Sequence, residues 1–270
     1  MRYEWNGSGI ERVRLRRHVT AAVLVIDDFT GRPITAPDLT VTAAQVLRKP
    51  VRKGDGYFLF LDCEEPVLDL TARAWAYHTA ETRVEVGQLS PLHPVVKLRL
   101  TPNRNYSIPS QTTCLEGRGA PGTEVRVLCE NDPRPLRLLY DYAPSGVLDG
   151  RFLQLYDPSG SDWEGRLFAL RRKGEGELEY FQVRSTVDGE EGGCLLAAPL
   201  SRGCKKAGAT VFPVSAARAD EKGAFFIPLR TMAVKAYICR FLSRAPSGDW
   251  EERSLELEPG RVTRLDLLGG

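Results

Sequence analysis

Turn residues break this chain at a spacing that long helices do not tolerate. Glycines and prolines, 25 and 18 among 270 residues, group into breaks roughly every eight to twelve positions, the rhythm of an all-β sandwich or barrel. Between them lie short runs rich in β-branched, leucine and aromatic residues, such as AAVLVI, LTVTA, YFLFL, EVRVLC, ELEYFQVR and AFFIPL. Most alternate with period two, which places successive side chains on opposite faces of a strand. In LDLTARAWAYH (68–78), Leu68, Leu70, Ala72, Ala74 and Ala76 fall on one face, and Asp69, Thr71, Arg73, Trp75 and Tyr77 on the other. The fold class expected is all-β.

One phrase recurs. RKGDGYFLFL (52–61) and DEKGAFFIPL (220–229) align with Gly56 on Gly223, an offset of 167, and the same offset carries VVKLRL (95–100) onto VTRLDL (262–267). FTGRPITAPDLTV (29–41) and PLSRGCKKAGATV (199–211) are equal in length and end alike. Landmarks recurring in order indicate a repeated domain. The division expected is an arm (1–18), a β-sandwich (19–102), a β-rich middle region that is either a domain or an insertion (103–189), and a diverged second sandwich (190–270). Gly56 and Gly223 fit hairpin turns that need positive φ. Phe58 with Phe60, and Phe225 with Ile227, should then face the core.

These residues also carry a resemblance. VLVIDDFTGRPI, LTVTA, KGDGYFLFL, LDLTARAWAY and VVKLRL resemble a carboxypeptidase regulatory-like domain. Asp28, Thr30, Gly31, Arg32 and Pro33 are assigned to its Asp-x-x-Thr-Gly-x-Pro turn, with Asp28 one residue closer to the threonine than that spacing asks, and Asp55, Gly56, Tyr57 and Phe58 match its acidic-Gly-aromatic hairpin. The second copy keeps Lys222, Gly223, Ala224 and Phe225. The resemblance implies tandem transthyretin-like (prealbumin-like, Ig-like in general plan) sandwiches, and modules that act as structural or binding appendages. It implies no activity.

Residues suited to catalysis are sparse. The three histidines, His18, His78 and His93, lie far apart, and none of the six cysteines forms a C-x-x-C pair. Neither a metal nor an organic cofactor is expected. Adjacent acids such as Asp27-Asp28 and Glu190-Glu191 point to opposite faces of a strand or sit at turns, an arrangement poorly suited to paired acid–base work. DPSGSD (157–162) and DGEEGG (188–193) lack the EF-hand pattern, and GRGAPG lacks the lysine of a phosphate loop. The cysteines read as buried reduced thiols, with Cys114–Cys129 as the local bridge available under oxidising conditions. The chain is therefore expected not to be an enzyme.

A formal net charge of +2 gives no electrostatic case for nucleic acid, and no apolar segment reaches membrane-spanning length. No apolar run of signal-peptide length follows MRYEWNGSGIERVRLRRH, so synthesis in the cytoplasm is expected, with later release in a particle left open. The function expected is a structural or adaptor subunit of a protein assembly, such as a phage-tail-like or contractile injection particle. The alternative is an adhesin-like module binding glycan or a cell-surface protein. Two places are candidates for partner contact: the arm, through Arg12, Arg14 and Arg16, and the polar strand face bearing Arg73, Trp75 and Tyr77.

Overall fold

The computed structural model describes residues 17–133, 135–157, 162–187 and 189–268, together with the backbone of two short strands before residue 17. Among these residues the regular structure is all β, apart from two three-residue 3-10 helices, Val86–Gln88 and Lys206–Gly208. Among the described residues no helix is long and apolar enough to cross a membrane. The chain divides into two compact units, 1–26 with 33–73 and 79–98, and 27–32 with 74–78 and 99–270.

In the first unit, β1 (Tyr3–Glu4) and β2 (Arg12–Val13) pair antiparallel as a two-stranded sheet. Arg14 and Arg16 lie outside the described residues, as does the side chain of Arg12. The strands that follow are β3 (Val19–Asp27), β4 (Thr40–Ala43), β5 (Val51–Arg52), β6 (Tyr57–Leu61), β7 (Val67–Arg73), β8 (Ala80–Glu85) and β9 (Val95–Leu100). They form sheets of order β5-β6-β3-β9 and β4-β7-β8. Burial alternates as the sequence predicts: Phe58 and Phe60 are buried on β6, and Leu68, Leu70 and Ala72 on β7. Arg52 ties the 35–39 loop to this unit, donating to Pro37 O (2.8 Å), Thr35 O (3.1 Å) and Ala36 O while its guanidinium lies over the Phe58 ring.

The second unit holds β10 (Cys114–Arg118), β11 (Glu124–Cys129), β12 (Arg137–Leu138), β13 (Phe152–Tyr156), β14 (Leu167–Arg172), β15 (Leu178–Thr186) and β16 (Gly193–Leu196). It continues with β17 (Ala209–Arg218), β18 (Ala224–Pro228), β19 (Tyr237–Arg244), β20 (Glu251–Leu257) and β21 (Val262–Asp266). A three-stranded sheet has the order β18-β10-β21, and a nine-stranded sheet the order β12-β13-β16-β15-β14-β17-β11-β19-β20.

The pairing pattern of the first unit recurs in the second. β6 runs antiparallel to β3 as β18 does to β10, β9 lies on the other side of β3 as β21 does on the other side of β10, and β4-β7-β8 corresponds to β11-β19-β20. Shifting Tyr57–Leu61 by 167 gives Ala224–Pro228, which is β18. The boundaries differ from the sequence reading. β10 and β11 lie in the stretch read as a middle region, yet they pair with β18, β21, β17 and β19. The counterpart of β4 in this pattern is β11, so the equal-length segments 29–41 and 199–211 are not equivalent. The reason is an insertion: β12 to β17 enter between β11 and β18, and a constant offset cannot register strands that lie before it.

The second unit has two apolar cores on one side of the nine-stranded sheet. Leu115, Val125, Val127, Phe225, Ile227, Tyr237, Cys239 and Phe241 join the three-stranded sheet to β11 and β19, the arrangement of a β-sandwich. The inserted strands bury their own cluster, which includes Leu153, Leu155, Trp163, Phe168, Phe181, Val183 and Val211. Both repeated glycines sit in the left-handed region, Gly56 at φ +89° and Gly223 at φ +74°.

Candidate functional site

Strand alternation decides what the nine-stranded sheet shows on its other side. With Val125, Val127 and Cys129 of β11 turned toward the core, Arg126, Leu128 and Glu130 face away from it. On β19 the same alternation turns out Arg240, Leu242 and Arg244. β14, β15 and β17 add Ala169, Arg171, Tyr180, Phe212 and Val214. A small apolar cluster of Leu128, Ala169, Phe212 and Val214 is buried there, with Leu167, Leu178 and Tyr180 half-buried against it.

Stacked cations and aromatic rings lie over this cluster. The Arg126 guanidinium is 4.1 Å from the Trp250 ring centroid and 5.3 Å from that of Tyr180. Arg244 stacks on the same indole at 4.8 Å, and Arg171 lies over Phe212 at 4.8 Å. Contacts of this kind are each worth about 0.5–2 kcal/mol, depending on desolvation. Ion pairs fix the pattern: Glu130 accepts from Arg171 (3.1 Å) and Arg240 (2.9 Å), Arg240 reaches Glu252 (3.2 Å), and Arg244 bonds both oxygens of Glu124 at 3.0 Å. Burial lowers the pKa of Arg126 and raises that of Tyr180. The buried Tyr180 hydroxyl has no hydrogen-bond partner among the described residues. Chemically the face offers fixed cations and aromatic planes, the residue types enriched where proteins bind one another.

A second polar centre lies at the turn after β3. The Asp27 carboxylate, rather than that of Asp28, forms the turn: it accepts from Phe29 N (2.9 Å) and Thr30 N (3.3 Å), while Gly31, at φ +72°, donates its N–H to Asp27 O. Its other oxygen takes the hydroxyls of Tyr106 (2.5 Å) and Tyr77 (3.2 Å). Asp28 instead faces Arg99 (3.6 Å) and Arg166 (4.0 Å). Burial raises its pKa, against the lowering pull of these two arginines. Arg99 also donates to Glu164 O (2.5 Å) and Asp162 O (3.1 Å). These groups bond one another and read as a structural knot.

The candidate contact residues predicted from sequence do not form one patch. β7 ends at Arg73, and residues 74–77 make a turn closed by Tyr77 N to Ala74 O (3.1 Å), so the strand alternation stops there. Trp75 projects with 74% of its surface exposed. Tyr77 is half-buried, bonded to Asp27 and packed edge-on to Tyr106 with centroids 5.4 Å apart. Arg73 is exposed at the strand end. Sequence reasoning did not single out Arg126, Tyr180, Arg240, Arg244 and Trp250. The signal available was an arginine off-phase in EVRVLCE and two more in YICRFLSR, each alternating with core residues.

Cysteine positions also differ from expectation. Cys129 lies opposite Cys239, not Cys114, with their Sγ atoms 3.4 Å apart. Cys114 is buried, and its Sγ contacts Thr112 O. Among the described residues no group of three or more His, Cys, Asp or Glu is placed to hold a metal ion.

A cleft of about 330 Å³ in the inserted region is lined by Tyr156, Asp157, Trp163, Glu190 and Glu191 among others, with the Trp163 indole donating to Asp157 (3.0 Å).

No family model and no curated protein matches the chain. Among solved structures it is similar to the one titled "The Bacillus anthracis TIE protein", at 8% identity and a TM-score of 0.23. The match covers 92% of this chain and 50% of that one, so the chain spans about half of that protein's length. A likeness of this size carries no argument about fold or function.

Proposed function

We infer that the chain is a non-enzymatic structural or adaptor subunit that binds another protein through the arginine–aromatic face of the nine-stranded sheet. The observation that carries this reading is Arg126 lying over both the Tyr180 and Trp250 rings, on the sheet face that holds a buried apolar cluster. Planar, pre-organised groups of this kind lose little conformational freedom on binding. The partner surface that fits is one bearing carboxylates and aromatic rings. The recurring strand pattern, with Asp27 and Gly31 in its first turn, supports reading both copies as transthyretin-like sandwiches of the carboxypeptidase regulatory-like kind. The assembly class stays that of a phage-tail-like or contractile injection particle.

The test is purification of the native assembly followed by exchange of Arg126→Ala and Trp250→Ala chains into it. Folded variants that no longer incorporate support this reading, and unchanged incorporation overturns it.

The second reading, a glycan-binding module, draws on the cleft that pairs Trp163 and Tyr156 with three carboxylates. Binding to a glycan array that is lost in Tyr156→Ala would favour it over the first.

A further inference from the structure

We propose that Cys129 and Cys239 form an oxidisable dithiol whose disulfide staples β11 to β19 across the inserted region. The two residues face one another in the antiparallel register of these strands, with Sγ atoms 3.4 Å apart. Glu130 N donates to Ile238 O (2.8 Å), which makes the neighbouring pair 130/238 the hydrogen-bonded one and places 129/239 at a non-hydrogen-bonded site. There the Cα atoms of an antiparallel pair approach to about 4.5 Å, within the span a disulfide bridges. The bond can therefore form with small side-chain rotations and no change of register.

Access to the two thiols is unequal. Cys239 is fully buried and Cys129 is partly buried against the same core, so Cys129 is the thiol that a reagent meets first. The hydrogen bond between the pair, and then burial, raise the pKa of the Cys129 thiol and keep it protonated at neutral pH. Reaction is slow there and accelerates as pH rises, because the thiolate is the nucleophile. A low-molecular-weight disulfide such as glutathione disulfide supplies the oxidising power. The Cys129 thiol loses its proton to solvent, and its sulfur attacks one sulfur of the reagent. That S–S bond breaks, and the departing thiolate takes up a proton. The Cys239 thiol, likewise deprotonated, attacks the Cys129 sulfur of the mixed disulfide and releases the second reagent thiolate. The protein dithiol is oxidised by two electrons, and the reagent is reduced to two thiols.

The consequence follows from topology. Cys129 ends β11, just before the insertion, and Cys239 lies on β19, 110 residues later. The adjoining Glu130 and Arg240 side chains pair on the opposite face of the same strands (2.9 Å), so the staple lies directly beneath an ion pair of the arginine–aromatic face. Closing so long a loop restricts the unfolded chain strongly.

The experiment incubates the full-length chain with glutathione disulfide at pH 7 and pH 9, blocks free thiols, and maps disulfide-linked peptides by mass spectrometry. The expected result is a peptide pair joining Cys129 to Cys239 and a loss of about 2 Da in the intact mass. Formation should be faster at pH 9 and reversed by dithiothreitol. The melting temperature should rise by about 5 °C or more. Cys129→Ser should abolish the link and the rise, while Cys63→Ser, altering a half-exposed thiol elsewhere, should keep both. Linkage of either cysteine to another residue, a stable glutathione adduct on Cys129, or both thiols remaining free at pH 9 would overturn the proposal.

Discussion

Asp27 shows how much a single carboxylate can organise. It is 5% exposed and accepts two backbone N–H groups and two tyrosine hydroxyls. Asp27→Ala should cost about 2–4 kcal/mol in urea unfolding, because four donors lose their acceptor at once. Tyr106→Phe, which removes one of the four, should cost about 1–1.5 kcal/mol. The same centre separates two residues that strand alternation had grouped: Tyr77→Ser should destabilise the chain by about 1–3 kcal/mol through the loss of its bond and ring contact, whereas Trp75→Ser, at an exposed turn, should change stability by less than about 0.5 kcal/mol. Gly223 is constrained by its backbone. A Cβ there would run into the Gly119 carbonyl oxygen and require φ +74° of an L-residue. Gly223→Ala should therefore cost about 2–4 kcal/mol, and Gly54→Ala, where the same atom would meet open space, far less.

Paired strands decide the behaviour of whole elements. Phe58 on β6 and Phe225 on β18 hold equivalent places beside β3 and β10, and both are buried. Truncating either to alanine should cost about 3–5 kcal/mol, read as a lower urea midpoint at unchanged slope. In the insertion, Glu179 of β15 links neighbouring segments: it accepts from Arg172 (2.5 Å) and from Ser201 N. Burial alone would raise its pKa, but the Ser201 N–H and Arg172 outweigh burial and hold it below the ordinary value of 4.5. The unfolded state therefore binds the proton more readily, and the stabilisation from Glu179 is present above pH 4.5 and lost as pH falls through the lower folded-state pKa. Glu179→Gln should be less stable than the native chain at pH 6, and the difference should shrink in melting curves taken toward pH 3.

At the scale of the whole molecule, the nine-stranded sheet serves two purposes. One side closes two apolar cores, and the other carries the arginine–aromatic layer. If that layer binds a partner, Arg126→Ala and Trp250→Ala should each reduce affinity by about 2 kcal/mol or more while the isolated chain keeps most of its stability. Raised salt should weaken association, because the arginines are partly exposed and their attraction to partner carboxylates is screened. Calorimetric titration against the purified partner at two salt concentrations would check both.

The local chemistry was legible in the sequence. Period-two alternation marked β6 and β7 with their core residues, and the positive-φ glycines marked two turns, the hairpin between β5 and β6 at Gly56 and, at Gly223, a turn from β17 to β18 that passes between two sheets rather than closing a hairpin. The offset of 167 joined β6 to β18 and β9 to β21, because the chain runs the same length from β6 to β9 as from β18 to β21. The spacing of Asp-x-x-Thr-Gly-x-Pro counted back from Thr30 already points to Asp27 rather than Asp28, and the folded turn agrees, with the Asp27 carboxylate beside the Phe29 and Thr30 N–H groups. The pairing of β10 with β18 and β21, the pairing of Cys129 with Cys239 and the approach of Arg126 to both the Tyr180 and Trp250 rings were decided by tertiary structure. Each joins residues separated by tens to more than a hundred positions. Alternation tells which face a side chain takes, but not which strand will lie beside it; that choice follows from burying the apolar faces of many strands at once.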